Sequence, residues 1–262
     1  MKQVLAIAGS DSGAGAGLQA DLKAIHASGC YALTAVTAVT AQNTLTITQS
    51  FNLTPEMVRA QIDAVFEDFE VAAVKTGMLS RSAIVETVAT ALIERRVPNL
   101  VVDPVMLSKS GYPLLSERAI EVLKVELIPT ATVVTPNIYE AELLSNMEIR
   151  NEADMERAGR SILDLGCGAV VVKGGHLSGV RVTDILVTPE GSTDYPGDRI
   201  ESSATHGVGC TFASALAAQL ALGSDIQEAV RATKEYVAGA ILKGPDIGRG
   251  NGPTDHFWRW RR

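Results

Sequence analysis

Short β-branched runs bounded by glycine, proline or asparagine alternate along this chain with helix-length stretches whose apolar positions recur every three or four residues. A strand buried on both faces reads as a continuous apolar run, whereas an amphipathic helix repeats at about 3.6 residues, so the alternation predicts a parallel sheet covered by helices on both faces. Strands are expected over Gln3–Ala8, Leu33–Ala38, Ala72–Lys75, Leu100–Val102, Thr132–Thr135 and Ala169–Lys173. Helices are expected over Leu18–Ala27, Pro55–Phe69, Arg81–Arg95, Glu117–Leu127, Ile138–Leu144 and Ala153–Leu165. Between Val182 and Ser203 the rhythm changes: Asp184-Ile185-Leu186-Val187 followed by Gly191-Ser192 predicts an antiparallel pair at one sheet edge. Two further helices, about Val208–Leu222 and Ile226–Leu242, close the chain. No repeat, low-complexity tract or linker divides it. The expectation is therefore one α/β domain over residues 1–262, a three-layer α/β/α sandwich with a mostly parallel central sheet and antiparallel edge strands.

Ligands of such sheets bind beyond the carboxyl ends of the strands, so the residues that follow each strand are where chemistry is to be sought. Gly9 to Gly17 is glycine-rich but lacks the Lys-Ser/Thr ending of a Walker loop and the spacing of a dinucleotide fingerprint. Asp21 lies on the helix that follows. Gln42 offers both a donor and an acceptor, enough to read one edge of a heterocycle. Asp103 and Glu140 are carboxylates placed after successive strands, with Asn137 one turn before Glu140, and oxygen ligands of this kind suit Mg²⁺ shared with phosphates. Asn137 also reads as a helix cap. Lys173 ends a very apolar strand, where an ammonium calls for an anionic partner such as a phosphate.

Thr205-His206-Gly207-Val208-Gly209-Cys210-Thr211 is the richest segment. A helix beginning at Gly207 would aim its unpartnered amides, and the positive end of its dipole, at whatever lies in front, which makes an anion site. The same field lowers a thiol pKa, so Cys210 is expected to ionise more readily than a free cysteine. The plainer reading is a tight turn with Cys210 as a small buried filler.

Composition narrows the setting. The chain is 46% hydrophobic and 20% charged, with a formal charge of −7, which argues against nucleic acid as a partner. An anionic ligand must then be held by local donors. Cys30, Cys167 and Cys210 have no metal-type spacing, and an odd number of thiols fits a reducing cytoplasm better than a disulfide scaffold. His26, His176, His206 and His256 show no zinc-ligand spacing. No apolar run approaches the roughly 18 residues of a membrane span, and Val4–Ala8 is too short for a signal-peptide core.

Taken in order, Gly9-Ser10-Asp11, Ala41-Gln42-Asn43, Thr76-Gly77-Met78, Asp103-Pro104-Val105-Met106, Thr135-Pro136-Asn137 with Glu140, Lys173-Gly174-Gly175-His176 and Thr205 to Cys210 resemble the hydroxymethylpyrimidine/phosphomethylpyrimidine kinases of thiamin biosynthesis, in the ribokinase-like superfamily. The resemblance runs from Gly9 to His256. It implies that ATP with Mg²⁺ phosphorylates 4-amino-5-hydroxymethyl-2-methylpyrimidine and then its monophosphate to the diphosphate. It further implies that Gln42 bonds the aminopyrimidine, that Asp21, Met78 and Val105 line its pocket with the backbone of Gly9 and Ala16 nearby, and that Cys210 faces the reactive oxygen. By the same resemblance Lys173 and Thr205 lie with the nucleotide, Asn137 and Glu140 organise Mg²⁺ with Asp103, and Gly207, Val208, Gly209 and Cys210 form the anion hole. Most of the superfamily has an aspartate base where this chain has Cys210; a cysteine there is typical of the pyrimidine branch. The chain departs from the pattern at Val208, where threonine is usual, at Ala14, which replaces a glycine, and at Asp255, which replaces a frequent histidine. Pyridoxal kinase, which shares the architecture, and a nonenzymatic pyrimidine or nucleotide sensor are the alternatives. Exposed apolar positions between Leu33 and Phe51 suggest a homodimer.

Overall fold

A computed structural model describes residues 1–107 and 114–261. Its strands are β1 (Gln3–Asp11), β2 (Tyr31–Gln42), β3 (Ile47–Asn52), β4 (Val71–Thr76), β5 (Leu100–Val102), β6 (Val133–Val134), β7 (Val170–Val172), β8 (Arg181–Thr188) and β9 (Gly191–Asp198). They form one sheet in the order β3-β2-β1-β4-β5-β6-β7-β8-β9. The run from β2 to β7 is parallel, while β3, β8 and β9 pair antiparallel at the two edges. The helices are α1 (Gly17–Ala27), α2 (Pro55–Asp68), α3 (Ser82–Arg95), α4 (Glu117–Val122), α5 (Ile138–Ser145), α6 (Glu152–Leu163), α7 (Val208–Leu222) and α8 (Ile226–Leu242). The three-layer α/β/α sandwich expected from the periodicity is the fold observed.

Alternation along each strand feeds two separate cores. In β1, Leu5 and Ile7 join the core beneath α2 to α6, whereas Val4, Ala6 and Ala8 join the one beneath α1, α7 and α8. Because both faces are buried, β1 has no polar side chain before Ser10 except Gln3 at its start. Among the described residues no helix is long and apolar enough to cross a membrane.

Two elements differ from expectation. The polar stretch Ile47–Asn52 is the edge strand β3: only Ile47 is buried, so the apolar alternation that marks a strand is missing. The helix expected over Glu117–Leu127 keeps α-bonding only to Val122, then widens to a π-turn over Leu123–Leu127 and tightens to one 3₁₀ turn at Ile128–Thr130. Pro129, without an amide, prevents regular bonding from continuing.

Ile7 lies in the middle of β1 and is fully buried. Ile7→Ala is expected to lower unfolding free energy by about 2–5 kcal/mol, measured by urea titration, with no change in the slope of the transition.

Candidate active site

A cleft of about 1070 Å³ opens over the carboxyl ends of the parallel strands and extends toward β9 and α8. Its floor is organised by Asp11, the last residue of β1. The Asp11 carboxylate accepts from the amides of Gly13 (2.7 Å), Gly15 (3.1 Å) and Ala16 (2.8 Å), and from His206 Nε2 at 2.9 Å. Burial pushes this carboxyl up, but the bonds from His206, Ala16 and Gly13 outweigh it and hold its pKa below the ordinary value. One side chain thus joins the glycine-rich loop to the segment before α7. Ala14, where the related pattern has glycine, sits at φ +58°, in the left-handed region that costs an L-residue energy. Lys23 Nζ donates to its carbonyl at 2.8 Å.

The two loops interlock through glycines. A Cβ on Gly15 would overlap the His206 ring, and one on Gly207 would overlap the Gly15 carbonyl oxygen. Gly207 also has φ +78° and caps α7. Its carbonyl accepts from both the amide and the hydroxyl of Thr211 at 2.8 Å. Having donated its hydrogen, the Thr211 hydroxyl accepts from His256 Nε2 at 3.0 Å. Burial lowers His256 to about 4, so the imidazole that braces this turn is neutral. The amides of Val208, Gly209 and Cys210 meet no acceptor among the described residues, and all three residues border the cleft. Since the donors are main-chain groups, valine at 208 leaves them intact.

Cys210 is half-buried at the same point. The expected ionised thiol is not what the structure supports: burial pushes Cys210 up to about 11, Asp21 and Asp103 add to this, and Lys75 with the Gly17 amide only partly offsets it. Near neutral pH the sulfur carries its proton.

Beside α7, Lys173 Nζ lies 3.1 Å from Asp103 Oδ1, which also accepts from the Thr135 hydroxyl at 3.3 Å. A Cβ on Gly209 would stand 3.5 Å from Lys173 Nζ, so the ammonium faces the first turn of α7 directly. Burial alone would lower Lys173, but Asp103 and Glu140 outweigh it and keep it charged. Asn137 and Glu140 cap α5 reciprocally: the Asn137 side chain accepts from the Glu140 amide, and Glu140 accepts from the Asn137 amide. Both readings of Asn137 therefore coexist, since it also borders the cleft. Burial pushes Glu140 up to about 7, with Lys173 opposing and Asp103 reinforcing. Among the described residues no three His, Cys, Asp or Glu side chains form a metal cage. The corner after Lys173 is pinned from behind, because Asp184 accepts from the Gly174 amide at 2.9 Å and pairs with Lys234 at 2.8 Å.

Gly9, Ala16, Gln42, Met78, Val105 and Thr205 all border the same cleft. Gly9 lets Met78 close in, since a Cβ there would be 3.2 Å from the Met78 sulfur. The Gln42 amide is anchored between Thr40 Oγ1 (3.0 Å) and His206 Nε2 (3.3 Å). The Thr40 hydroxyl faces Gln42 Oε1, and since Asp11 only accepts, His206 Nε2 carries the hydrogen that binds it. Asp21 does not line the cleft. It is fully buried between α1, β4 and α7, where Lys75 and Ser214 bind it. Asp11 and His206 lay within the motifs the sequence reading quoted but were given no role there, while Lys75 and the Asp184–Lys234 pair were not singled out; Lys75 carried the same signal as Lys173, a lysine at the end of an apolar strand.

A doubly covered parallel sheet with a glycine-capped anion cradle, a neighbouring lysine and an open cleft at the strand ends fits a ribokinase-like small-molecule kinase. A crystal structure of the pyridoxal kinase of Bacillus subtilis with ADP superposes with a TM-score of 0.93 over 100% of both chains at 37% identity. That of the phosphomethylpyrimidine kinase of Clostridium difficile gives 0.83 at 45% identity, covering 92% of this chain and 100% of that one. The hydroxymethylpyrimidine/phosphomethylpyrimidine kinase of Rhizobium meliloti is 47% identical over 98% of this chain and 97% of its own. The family model described as phosphomethylpyrimidine kinase matches residues 11–255, and the chain belongs to that family.

Gly207→Ala is expected to reduce turnover by at least about tenfold, because the added methyl separates the two loops and tilts the cradle. Steady-state kinetics checks this, with circular dichroism to confirm folding. Glu140 is expected to titrate near pH 7, neutral below and ionised above, in a ¹³C-carboxyl NMR titration; Glu140→Gln removes that resonance.

Proposed function

We propose that the protein transfers the terminal phosphoryl group of ATP to the hydroxymethyl oxygen of 4-amino-5-hydroxymethyl-2-methylpyrimidine, and then phosphorylates the monophosphate to the diphosphate, as a step of thiamin biosynthesis. The observation that carries this reading is the set of amides at Val208, Gly209 and Cys210 without an acceptor among the described residues, with Lys173 alongside and Gln42, Met78 and Val105 lining the same cleft. The acceptor oxygen bonds to the γ-phosphorus, the bond to the bridging oxygen breaks, ADP leaves with that electron pair, and the hydroxyl proton passes to solvent or to a phosphate oxygen. Such transfer asks the protein chiefly for alignment and for donors where negative charge gathers.

In this reading the α7 amides grip the moving phosphoryl group, Lys173 neutralises nucleotide phosphates and Thr205 and Asn137 flank the nucleotide. Gln42 addresses the aminopyrimidine edge, while Gly9, Ala16, Met78 and Val105 shape the slot. Glu140 and Asp103 fit Mg²⁺, which typically takes one or two carboxylates plus phosphates and waters. Bound there, the ion would supply positive charge to offset that of the nucleotide phosphates. The neutral Cys210 thiol orients the acceptor oxygen by donating to it rather than removing its proton.

Tyr31, Val39, Leu45 and Phe51 leave exposed apolar surface along β2, β3 and their turn, and this face is proposed to pair two copies as a homodimer. The three free thiols support a cytoplasmic location.

The fold's closeness to a pyridoxal kinase favours one second reading, pyridoxal as acceptor. Incubating the protein with ATP, Mg²⁺ and each acceptor, and following products by mass, separates the two. Mono- and diphosphate from the pyrimidine are expected; pyridoxal phosphate alone establishes the second reading, and ligand binding without ADP makes the protein a sensor. Lys173→Ala is expected to lower turnover by about a hundredfold, and near-normal turnover would remove Lys173 from the mechanism.

A further inference from the structure

Strand β7 leaves its antiparallel partner β8 at Val172, which pairs with Ile185, and the next residue, Lys173, already borders the cleft. Where a ladder stops, the amides that follow lose their backbone acceptors and have to find others. The Lys173 amide donates to the Pro136 carbonyl at 2.9 Å. The Gly174 amide takes a side chain from the facing strand, Asp184 Oδ1, at 2.9 Å. With its own N–H and the following N–H both held, Lys173 has little freedom left in φ and ψ, and these set the direction in which its side chain departs. A Cβ on Gly174 would overlap the Thr183 carbonyl oxygen, so the chain passes β8 too closely for a wider turn to replace this bond.

A carboxylate is a costly choice of acceptor there. Asp184 is buried and borders a cleft suited to phosphate, where an uncompensated negative charge would repel the ligand. The compensation comes from α8: Lys234 Nζ binds Asp184 Oδ2 at 2.8 Å and the Val182 carbonyl at 3.0 Å. Lys234 reaches them past Gly197 of β9, where a Cβ would stand 3.1 Å from its Cε. Both Asp184 oxygens are thus committed, one to the corner after Lys173 and one to α8.

We propose that Asp184 is a positioning residue for phosphoryl transfer, acting through the Gly174 amide to fix the backbone from which Lys173 reaches the head of α7, with Lys234 tying that point to α8. This rests on Lys173 serving transfer in the proposed function. Lys173 is then held at both ends, its ammonium 3.1 Å from Asp103 Oδ1 and its main chain by Asp184. Since Asp184 also borders the cleft, a direct effect on the nucleotide has to be separated from an effect through Lys173. The two differ in one respect: a residue that works only through Lys173 has nothing left to position once that lysine is gone.

The first test is kinetic, with circular dichroism to confirm folding. Asp184→Ala is expected to lower kcat about thirtyfold. The double variant Lys173→Ala/Asp184→Ala is expected to fall within about threefold of Lys173→Ala alone. Asp184→Asn keeps an oxygen for the Gly174 amide and is expected to recover to within about fivefold of wild type. Losses that multiply in the double variant, or an asparagine variant as slow as the alanine one, would overturn the proposal. The second test is hydrogen exchange by NMR on the full-length chain. The Gly174 amide is expected to be protected in the wild type and to exchange at least about tenfold faster in Asp184→Ala, with the amides of β7 unchanged. Free exchange at Gly174 in the wild type would overturn the proposal without any variant, as would an acceleration shared by all of β7. Turnover is read as ADP release with whichever acceptor the protein phosphorylates. Transfer to pyridoxal and not to the pyrimidine refutes the proposed function and leaves this test intact, whereas transfer to neither overturns both.

Discussion

A helix cannot satisfy its own first amides, and everything distinctive in this molecule follows from where α7 leaves those groups. The chain before α7 could have folded back and capped them. Instead His206 is drawn away to Asp11, and Gly207 turns through a left-handed conformation against Gly15. Thr211, backed by His256, takes up the Gly207 carbonyl. What remains is a short row of bare donors bordering a cleft.

The electrostatics are arranged with the same economy. A chain of net charge −7 that handles phosphate has to gather positive charge locally. It does so with two lysines, each at or just past a strand end and each held by a carboxylate: Lys173 by Asp103 and Lys75 by Asp21. Lys173 faces the cleft, while Lys75 is fully buried and paired with Asp21. The carboxylates keep both ammonium groups charged, while burial, with Asp21 and Asp103 adding to it, keeps the Cys210 thiol protonated despite a helix terminus that would otherwise favour its ionisation.

Much of this was legible in the chain. Continuous apolar runs located the parallel strands, and α7 and α8 begin and end where periodicity and their glycine and aspartate boundaries placed them. The loops after the strands held most of the cleft residues because a doubly wound sheet leaves those loops nowhere else to converge. What escaped was long-range pairing. Asp21 reads as a helical carboxylate near a glycine loop, and nothing local reveals that Lys75, 54 residues away, draws it under the floor. Strand β3 escaped because its neighbour β2 orders it through backbone bonds, which leave no mark on side-chain polarity. The Cys210 ionisation was misjudged because a helix dipole can be inferred from position, while burial and opposing carboxylates need the packed structure.

The bonds around the head of α7 also govern when the molecule can begin to work. Asp11 and His206 are separated by 195 residues, and Thr211 reaches forward 45 residues to His256. A nascent chain emerging from the ribosome can pair β1 with β2 early. It cannot close the cradle until His256 has been synthesised, after every strand of the sheet and both of the helices α7 and α8.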